Sequence, residues 1–185
     1  MIADVPYVDD MSSLEHPTVA KVAAALSEAG HHTASEGITI LPDEVRTASQ
    51  AATALGIDVG AIANSLVFRG VRNNADGTEE HFPLLVLTSG AHRADTTALA
   101  GLVTAIRIDK ADPEFVKTET GQVIGGVAPV GHRNPLRTLV DTTLRQYDTV
   151  WAAAGHAKSV FPTSYTGLLA MTGGTPADVT GEASR

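Results

Sequence analysis

The sequence contains no cysteine, and further absences narrow what the chain can be. Without cysteine, disulfide bonds, thiolate metal sites and cysteine nucleophiles are excluded. Apolar residues make up 43% of the chain, yet no apolar run approaches about 18 positions, so no membrane-spanning helix is predicted. Lys and Arg number 13 against 21 Asp and Glu, a net charge of −8. This balance argues against a broad basic surface for DNA, although it leaves room for a local basic pocket.

The two ends of the chain differ in composition from its middle. Residues 1–15 look like a flexible polar arm. The first ten carry three aspartates and no basic residue, unlike a signal or transit peptide, so we expect a cytoplasmic protein. The 185 residues suit one domain, which we place at residues 16–175, followed by a frayed tail over 176–185.

The predicted helices and strands occur in a mixed order. A capping box at Thr47 to Gln50 begins one helix, and Asp95 and Asp112 begin two others. Apolar stretches at 63–69 and 82–88 flank a turn and predict a β-hairpin. Strands and helices alternate later in the chain. We therefore expect an α+β, or mixed α/β, fold.

A cluster of glycine and proline is the most informative segment. Gly125, Gly126, Pro129 and Gly131 lie within the nine residues that end at His132. Glycine lets a ligand approach the main chain, and paired backbone N–H groups can bind a carbonyl oxygen or an oxyanion. Such clusters more often mark a tight surface loop. Both interpretations remain open at this point.

A second informative segment is a strand of small residues that ends at Gly155 and His156. Small side chains leave space, and a histidine at a strand end can bind a ligand or transfer protons. The alternative is a hydrogen-bonded surface histidine, and Trp151 is assigned to the core. No zinc, P-loop, dinucleotide-binding or nucleophile-elbow motif is present. The residues alone predict a mixed α/β domain with a glycine-built pocket.

Taken in order, these segments resemble the YbaK / prolyl-tRNA synthetase-associated domain family, whose members edit aminoacyl-tRNA. The resemblance covers roughly residues 16 to 175. The matching segments are Thr47 to Gly56, Ile62 to Phe68, Leu85 to Asp95, Ala111 to His132, Leu139 to Asp141 and Trp151 to His156.

This resemblance implies both a fold and an activity. The fold would be a curved, partly barrel-like mixed β-sheet surrounded by helices. The activity would be that of a free-standing deacylase, which hydrolyses the ester of a small amino acid such as alanine, cysteine or serine mischarged on tRNA, with the tRNA for proline expected. No metal and no cofactor are implied. The expected partners are the acceptor end of aminoacyl-tRNA and a synthetase or elongation factor, with neither a membrane nor DNA.

The resemblance also assigns roles to individual residues. Those assigned to catalysis are Asn64, Gly125 and Gly126, and those assigned to substrate binding are Pro129, Gly131, His132, Gly155 and His156. Neighbouring side chains of a strand point to opposite faces, so Asn64 rather than Ser65 is expected to face the pocket.

One residue departs from the family pattern. Members commonly have lysine where this chain has Asn64. Asparagine donates hydrogen bonds but carries no charge, so a cation such as Arg69, Arg72 or Arg133 would have to replace it. This departure favours an alternative function: a catalytically weakened or inactive module that binds an amino acid, a nucleotide or a protein partner.

Overall fold

A computed structural model describes residues 14–42, 45 and 47–181 of the chain. Its α-helices are α1 (Pro17–Glu28), α2 (His32–Glu36), α3 (Ala48–Leu55), α4 (Thr96–Val103), α5 (Pro113–Thr120) and α6 (Tyr165–Thr172). Its strands are β1 (Thr39–Ile40), β2 (Ile62–Asn73), β3 (Glu79–Ser89), β4 (Arg107–Lys110), β5 (Arg137–Asp141), β6 (Val150–Ala153), β7 (Ser159–Thr163) and β8 (Thr175–Ala177). Two short 3-10 helices lie at Val59–Ala61 and Thr142–Gln146.

The helix caps follow the local sequence. The side chains of Thr47, Asp95 and Asp112 accept hydrogen bonds from main-chain N–H groups in the first turns of α3, α4 and α5. Helices α3 and α5 end at Gly56 and Gly121, which have φ values of 68° and 74°. Only glycine adopts this left-handed conformation at little cost. The predicted starts of these three helices are confirmed.

The eight strands form one mixed sheet in the order β1-β7-β6-β2-β3-β5-β8, and β4 pairs with β2 outside this path. Strands β2 and β3 form the predicted antiparallel hairpin. The parallel pairs are β2 with β6, β3 with β5, and β5 with β8. The expected mixed α/β fold, a sheet with helices around it, is therefore confirmed.

Helices cover both faces of the sheet. On one face, residues of α1, α2 and α6 pack against Leu85 and Leu87 of β3. On the other face, α4 packs against Leu84 and Val86, and α3 packs nearby against Ile62 of β2. Because β3 is buried on both faces, its centre reads as an uninterrupted apolar run rather than as an alternating pattern.

The structure corrects the prediction of a frayed tail over 176–185. Strand β8 pairs with β5, and Val179 beyond it is fully buried. The Asp95 N–H also donates to the Val179 carbonyl at 2.8 Å, which ties this segment to the start of α4. Residues 182–185 lie outside the described residues, as does most of the predicted arm over 1–15. No helix within the described ranges is long and apolar enough to cross a membrane.

Candidate functional site

Strand β2 is fully paired along one edge and only partly paired along the other. Strand β3 accompanies it from Ala63 to Asn73. On the opposite edge, β6 pairs with residues 62–63 and β4 pairs with residues 68–71. Among the described strands, none pairs with residues 64–67 on that edge. We call this opening, where β6 leaves β2 before β4 joins it, the β2 fork.

The main chain of Ser65 faces the β2 fork. In an antiparallel pair, alternate residues direct their N–H and C=O groups toward the partner strand. The Gly90 N–H donates to the Ile62 carbonyl, so even-numbered residues of β2 face β3. The Ile106 N–H donates to the Val71 carbonyl, so odd-numbered residues face the other edge. Ser65 therefore directs both of its main-chain groups away from β3 and into the opening.

A cavity of about 290 Å³ lies at the β2 fork. Its described lining includes Ala48 and Ala51 of α3, Asn64 and Ser65 of β2, and Ala153 of β6. No charged side chain occurs among the described residues that line it. This volume is at the low end for ligand pockets, and the many alanines leave room for a small group.

Asn64 and Ser65 point to opposite faces of the sheet, as the strand period requires. Ile62 packs against α3 and Leu66 packs in the cluster below α4, so Asn64 between them faces the α3–α4 side. Ser65 follows Val67 toward the other face. Both residues still contribute to the cavity lining, because the opening exposes the strand edge itself.

Several polar groups near the β2 fork have no partner in the described part of the chain. Asn64 lies directly opposite Thr88 on β3. The Thr88 Oγ1 and the Ser65 Oγ are both buried without a hydrogen bond among the described residues. Buried polar groups are normally paired, so the Ser65 Oγ in the cavity lining marks a place where a ligand can supply a partner, whereas the Thr88 Oγ1 lies on the other face of the sheet and outside the lining.

The glycine loop closes one side of the cavity. Gly125, with a φ of 94°, lines the cavity together with Ile124 and Val127. Gly126 backs directly onto the neighbouring turn: a Cβ built there would lie 2.6 Å from the carbonyl carbon of His156. The two glycine-containing segments singled out from the sequence are therefore packed against each other at this site.

Gln122 holds the glycine loop in place, a role that the sequence did not reveal. Its side chain is buried, accepts a hydrogen bond from the Ala128 N–H at 2.7 Å and donates to the Val130 carbonyl at 3.0 Å. These two bonds span the loop around Pro129, which is itself buried. A polar residue directly after the helix-ending Gly121 was the only available signal.

His132 supports the loop from behind rather than facing the cavity. Its Nε2 lies 2.7 Å from the Ala128 carbonyl, which fixes Nε2–H as the donor. Burial lowers the pKa of His132 from 6.5, the hydrogen bond to Ala128 opposes this change, and the charge of Lys21 adds to it. A neutral imidazole committed to the main chain is poorly placed to act as a general base.

His156, Gly155 and Gly131 are also absent from the described residues that line the cavity. The His156 Nδ1 accepts a hydrogen bond from the Lys158 N–H at 3.2 Å, and its ring contacts that of His16, with centroids 4.9 Å apart. Gly155 and Gly131 approach α1, where a Cβ would meet Thr18 or Val22.

The cavity therefore includes two of the eight predicted site residues directly. Asn64 and Gly125 line it, whereas Gly126, Pro129, Gly131, His132, Gly155 and His156 form the layer behind it. Trp151, assigned to the core from the sequence, is instead half-buried and lines the cavity. Thr47 caps α3 and lines the cavity as well.

The three arginines named above as replacements for the family lysine lie elsewhere. Arg69 pairs with Asp112 at 2.8 Å and stacks on Phe115, and Arg72 pairs with Glu80 at 2.9 Å. Neither these two nor Arg133 lines the cavity.

Comparison with known proteins relates this geometry to other chains. A family model described as the aminoacyl-tRNA editing domain matches residues 42–171. A solved structure described as "a putative trans-editing enzyme for prolyl tRNA synthetase" shares 38% identity and superimposes with a TM-score of 0.78. That match covers 89% of this chain and 97% of the other.

Two further relatives are more distant. A solved structure of a hypothetical protein shares 25% identity over 86% of this chain and 98% of its own, with a TM-score of 0.72. The uncharacterized protein YwhH of Bacillus subtilis is 28% identical over 113 residues. That match spans 61% of this chain and 66% of YwhH, just under two thirds of its length.

Proposed function

Because the chain belongs to the aminoacyl-tRNA editing domain family, we propose that it is a free-standing deacylase that removes a small amino acid from mischarged tRNA. The cavity at the β2 fork carries this proposal. It combines a small volume, a main-chain edge that no described strand pairs with and an Asn64 carboxamide without a partner among the described residues, beside a loop that brings main-chain groups close to a ligand. These are the features that positioning a small ester for hydrolysis requires.

The reaction is hydrolysis of the ester between an amino acid and the terminal ribose of tRNA. The oxygen of a water molecule attacks the ester carbonyl carbon, and the bond from that carbon to the ribose oxygen breaks. The ribose oxygen takes up a proton from that water molecule, and the OH of the water stays on the acyl carbon. The products are a free amino acid and a free tRNA hydroxyl.

The protein contributes position and hydrogen-bond donors to this reaction. The Asn64 carboxamide makes no hydrogen bond among the described residues and faces the α3–α4 side of the cavity, so its N–H groups are available to the substrate. It can donate to the carbonyl oxygen or to a phosphate, although it cannot supply a charge. One such donor contributes about 10²–10³-fold to the rate of an acyl transfer.

The substrate is a small amino acid on the tRNA for proline. The alanine-rich lining suits alanine, cysteine or serine, and the similar trans-editing protein is described in connection with prolyl tRNA synthetase. Since the net charge is −8, intrinsic affinity for tRNA is expected to be low, and a synthetase or an elongation factor would present the substrate. Such a role places the protein in the cytoplasm.

A panel of mischarged tRNAs tests the proposal. Purified protein is incubated with alanyl-, cysteinyl- and seryl-tRNA for proline, and release of the amino acid is compared with the rate without protein. We expect release well above that rate, and an increase in Asn64→Lys, which restores the family cation. Asn73→Lys is the matched control, because it makes the same change on the same strand at an exposed position outside the cavity.

The second candidate function is binding without catalysis, and Asn64 in place of the lysine is the observation that favours it. In that case the natural protein releases no amino acid from any tRNA in the panel. If Asn64→Lys is folded and active while the natural protein is inactive, the editing scaffold has become a binding module. If neither protein is active, the deacylase proposal is wrong.

A further inference from the structure

The unpaired edge of Ser65 suggests how the aminoacyl group is bound. Proteins usually cover or pair strand edges, because free N–H and C=O groups are costly when buried. Here the opening lies inside a cavity, and no strand or loop among the described residues pairs with this stretch of β2. Of the two odd-numbered residues in this stretch, Ser65 and Val67, only Ser65 lines the cavity, so it is the Ser65 N–H and C=O that the edge offers to an occupant.

The chemistry of the ligand follows from the geometry of an antiparallel pair. In such a pair, one residue exchanges two hydrogen bonds with the residue opposite, through its N–H and its C=O. An aminoacyl ester has the same arrangement, since its α-amino group and its carbonyl are separated by one Cα atom. It can therefore lie opposite Ser65 as a single residue of an added strand, the recognition mode known as β-augmentation.

We infer that Ser65 binds the aminoacyl group through its main chain: its N–H donates to the ester carbonyl, and its C=O accepts from the α-amino group. This inference rests on the proposed deacylase function. The lining supports it, because no carboxylate among the described residues is present to pair with an amino group. The neutral acceptors there include the side-chain oxygen of Asn64 and the main-chain carbonyl of Ser65, and only the Ser65 carbonyl lies beside a main-chain N–H of the same residue that can hold the ester carbonyl.

The arrangement has a consequence for specificity. Every amino acid has the same α-amino and carbonyl groups, so the Ser65 edge would hold alanyl, cysteinyl and seryl esters alike. An acyl group without the α-amino group would lose one of the two hydrogen bonds. The protein should therefore distinguish aminoacyl groups from simple acyl groups of the same size.

Binding of a stable analogue pair tests this inference without any need for turnover. The probes are 3′-deoxy-3′-(alanylamino)adenosine and its 3′-propionylamino counterpart, which differ only in the α-amino group. Their dissociation constants are measured by calorimetry. We expect the dissociation constant of the alanyl compound to be lower by at least about 10-fold, because one additional hydrogen bond from a charged donor contributes roughly that factor. Equal affinities, or no binding of either compound, would overturn the inference.

An amide-to-ester replacement at Ser65 tests the donor directly. The α-hydroxy analogue of serine, incorporated at position 65, removes the N–H and keeps the side chain. The same replacement at His81 is the matched control: the strand alternation directs its N–H away from β2, and β5 pairs only with residues 84–87 of β3. We expect the replacement at position 65 to weaken alanyl binding about 10-fold and that at 81 to leave it unchanged.

The outcomes separate this inference from the proposed function. If the alanyl compound binds through Ser65 but no mischarged tRNA is hydrolysed, the deacylase proposal fails and the inferred contact remains. If tRNA is hydrolysed but the ester at position 65 binds the alanyl compound as well as the natural protein does, the inferred contact is wrong and the deacylase remains.

Discussion

The two ends of strand β2 differ in what surrounds them. Over residues 68–71 the strand is paired on both edges, and the arginines of this end are matched to carboxylates: Arg69 to Asp112 and Arg72 to Glu80. From residue 64 to 67 the described strands pair with it on one edge only, and its neighbourhood contains buried hydroxyls without a partner among the described residues. The first end is built for stability, whereas the second keeps its hydrogen-bonding capacity for a ligand.

The difference shows that the site arises where the neighbouring strands leave part of β2 unpaired, rather than from the side chains of β2 alone. Strand β6 diverges after Ala63 and β4 joins at Phe68. The glycine loop closes one side of the cavity at this opening and packs in turn against the segment at His156. We call residues 64–67 the open end of β2 and residues 68–73 its closed end. Changes at the open end should therefore alter function strongly, and changes at the closed end should not.

The largest effect is expected where the two loops touch. In Gly126→Val, the new Cβ would overlap main-chain atoms of His156 and Ala157, which cannot move aside as a flexible side chain would. We expect a loss of about 1–3 kcal/mol in the free energy of unfolding and loss of deacylation, measured by chemical denaturation and tRNA hydrolysis.

Gly101→Ala is the control for that variant. Gly101 lies in α4 with open space around the position of a Cβ, so alanine there should stabilise the protein by about 0.5–1 kcal/mol. If Gly126→Val is as stable and as active as the natural protein, the close packing of the two loops is not what shapes the cavity.

The next largest effect is expected at Gln122. Gln122→Leu leaves the Ala128 N–H and the Val130 carbonyl without their partner, so the free energy of unfolding should fall by about 1–2 kcal/mol. Deacylation should fall with it because the loop is no longer held. The same change at the exposed Gln146 should shift stability by less than about 0.5 kcal/mol, and an equal effect at both positions would refute the bracing role.

A smaller effect is expected from the titration of His132. Because burial keeps its folded pKa below 6.5, the unfolded chain binds a proton more readily than the folded one. Stability from this residue is therefore fully present above that value and declines as the pH falls through 6.5 toward the lowered folded pKa. Between pH 7.5 and 5.5, roughly one unit either side of the ordinary histidine pKa, the natural protein should lose more unfolding free energy than His132→Gln. Parallel pH profiles for the two proteins would contradict the assignment.

The smallest effect is expected at the closed end of β2. Arg107→Gln removes ion pairs to Glu79 and Asp109, but all three side chains are substantially exposed and screened by solvent. We expect no resolvable change in melting temperature or in deacylation. A clear loss of deacylation would mean that the two ends of the strand are coupled, and would contradict the claim that only the open end affects function.

Much of the fold was predictable because its signals are local. The caps at Thr47, Asp95 and Asp112 need only their own first turns, and the hairpin needs only its two strands and the turn between them. Helix α2 was missed because it has only five residues and no side-chain cap, whereas strand β8 was missed because its partner β5 is distant in sequence. Strand β8 in particular becomes a strand only where β5 offers it an edge.

The candidate site was predicted less well, for a related reason. Asn64 and Gly125 line the cavity, but so does Ser65, which strand alternation had placed away from the pocket, because the opening exposes the strand edge itself. Whether Trp151 faces the core or the cavity depends on the positions at which β6 and β4 meet β2, which no local pattern encodes. The functional roles of the predicted residues remain predictions.

The central claim is that an aminoacyl ester is cleaved at the β2 fork, and single-turnover deacylation of alanyl-tRNA for proline tests it most directly. The natural protein, Asn64→Ala and Asn73→Ala are compared, since the two variants make the same change at the open and the closed end of one strand. We expect Asn64→Ala to be slower by about 10²-fold and Asn73→Ala to match the natural protein. Equal rates for all three proteins would contradict the claim.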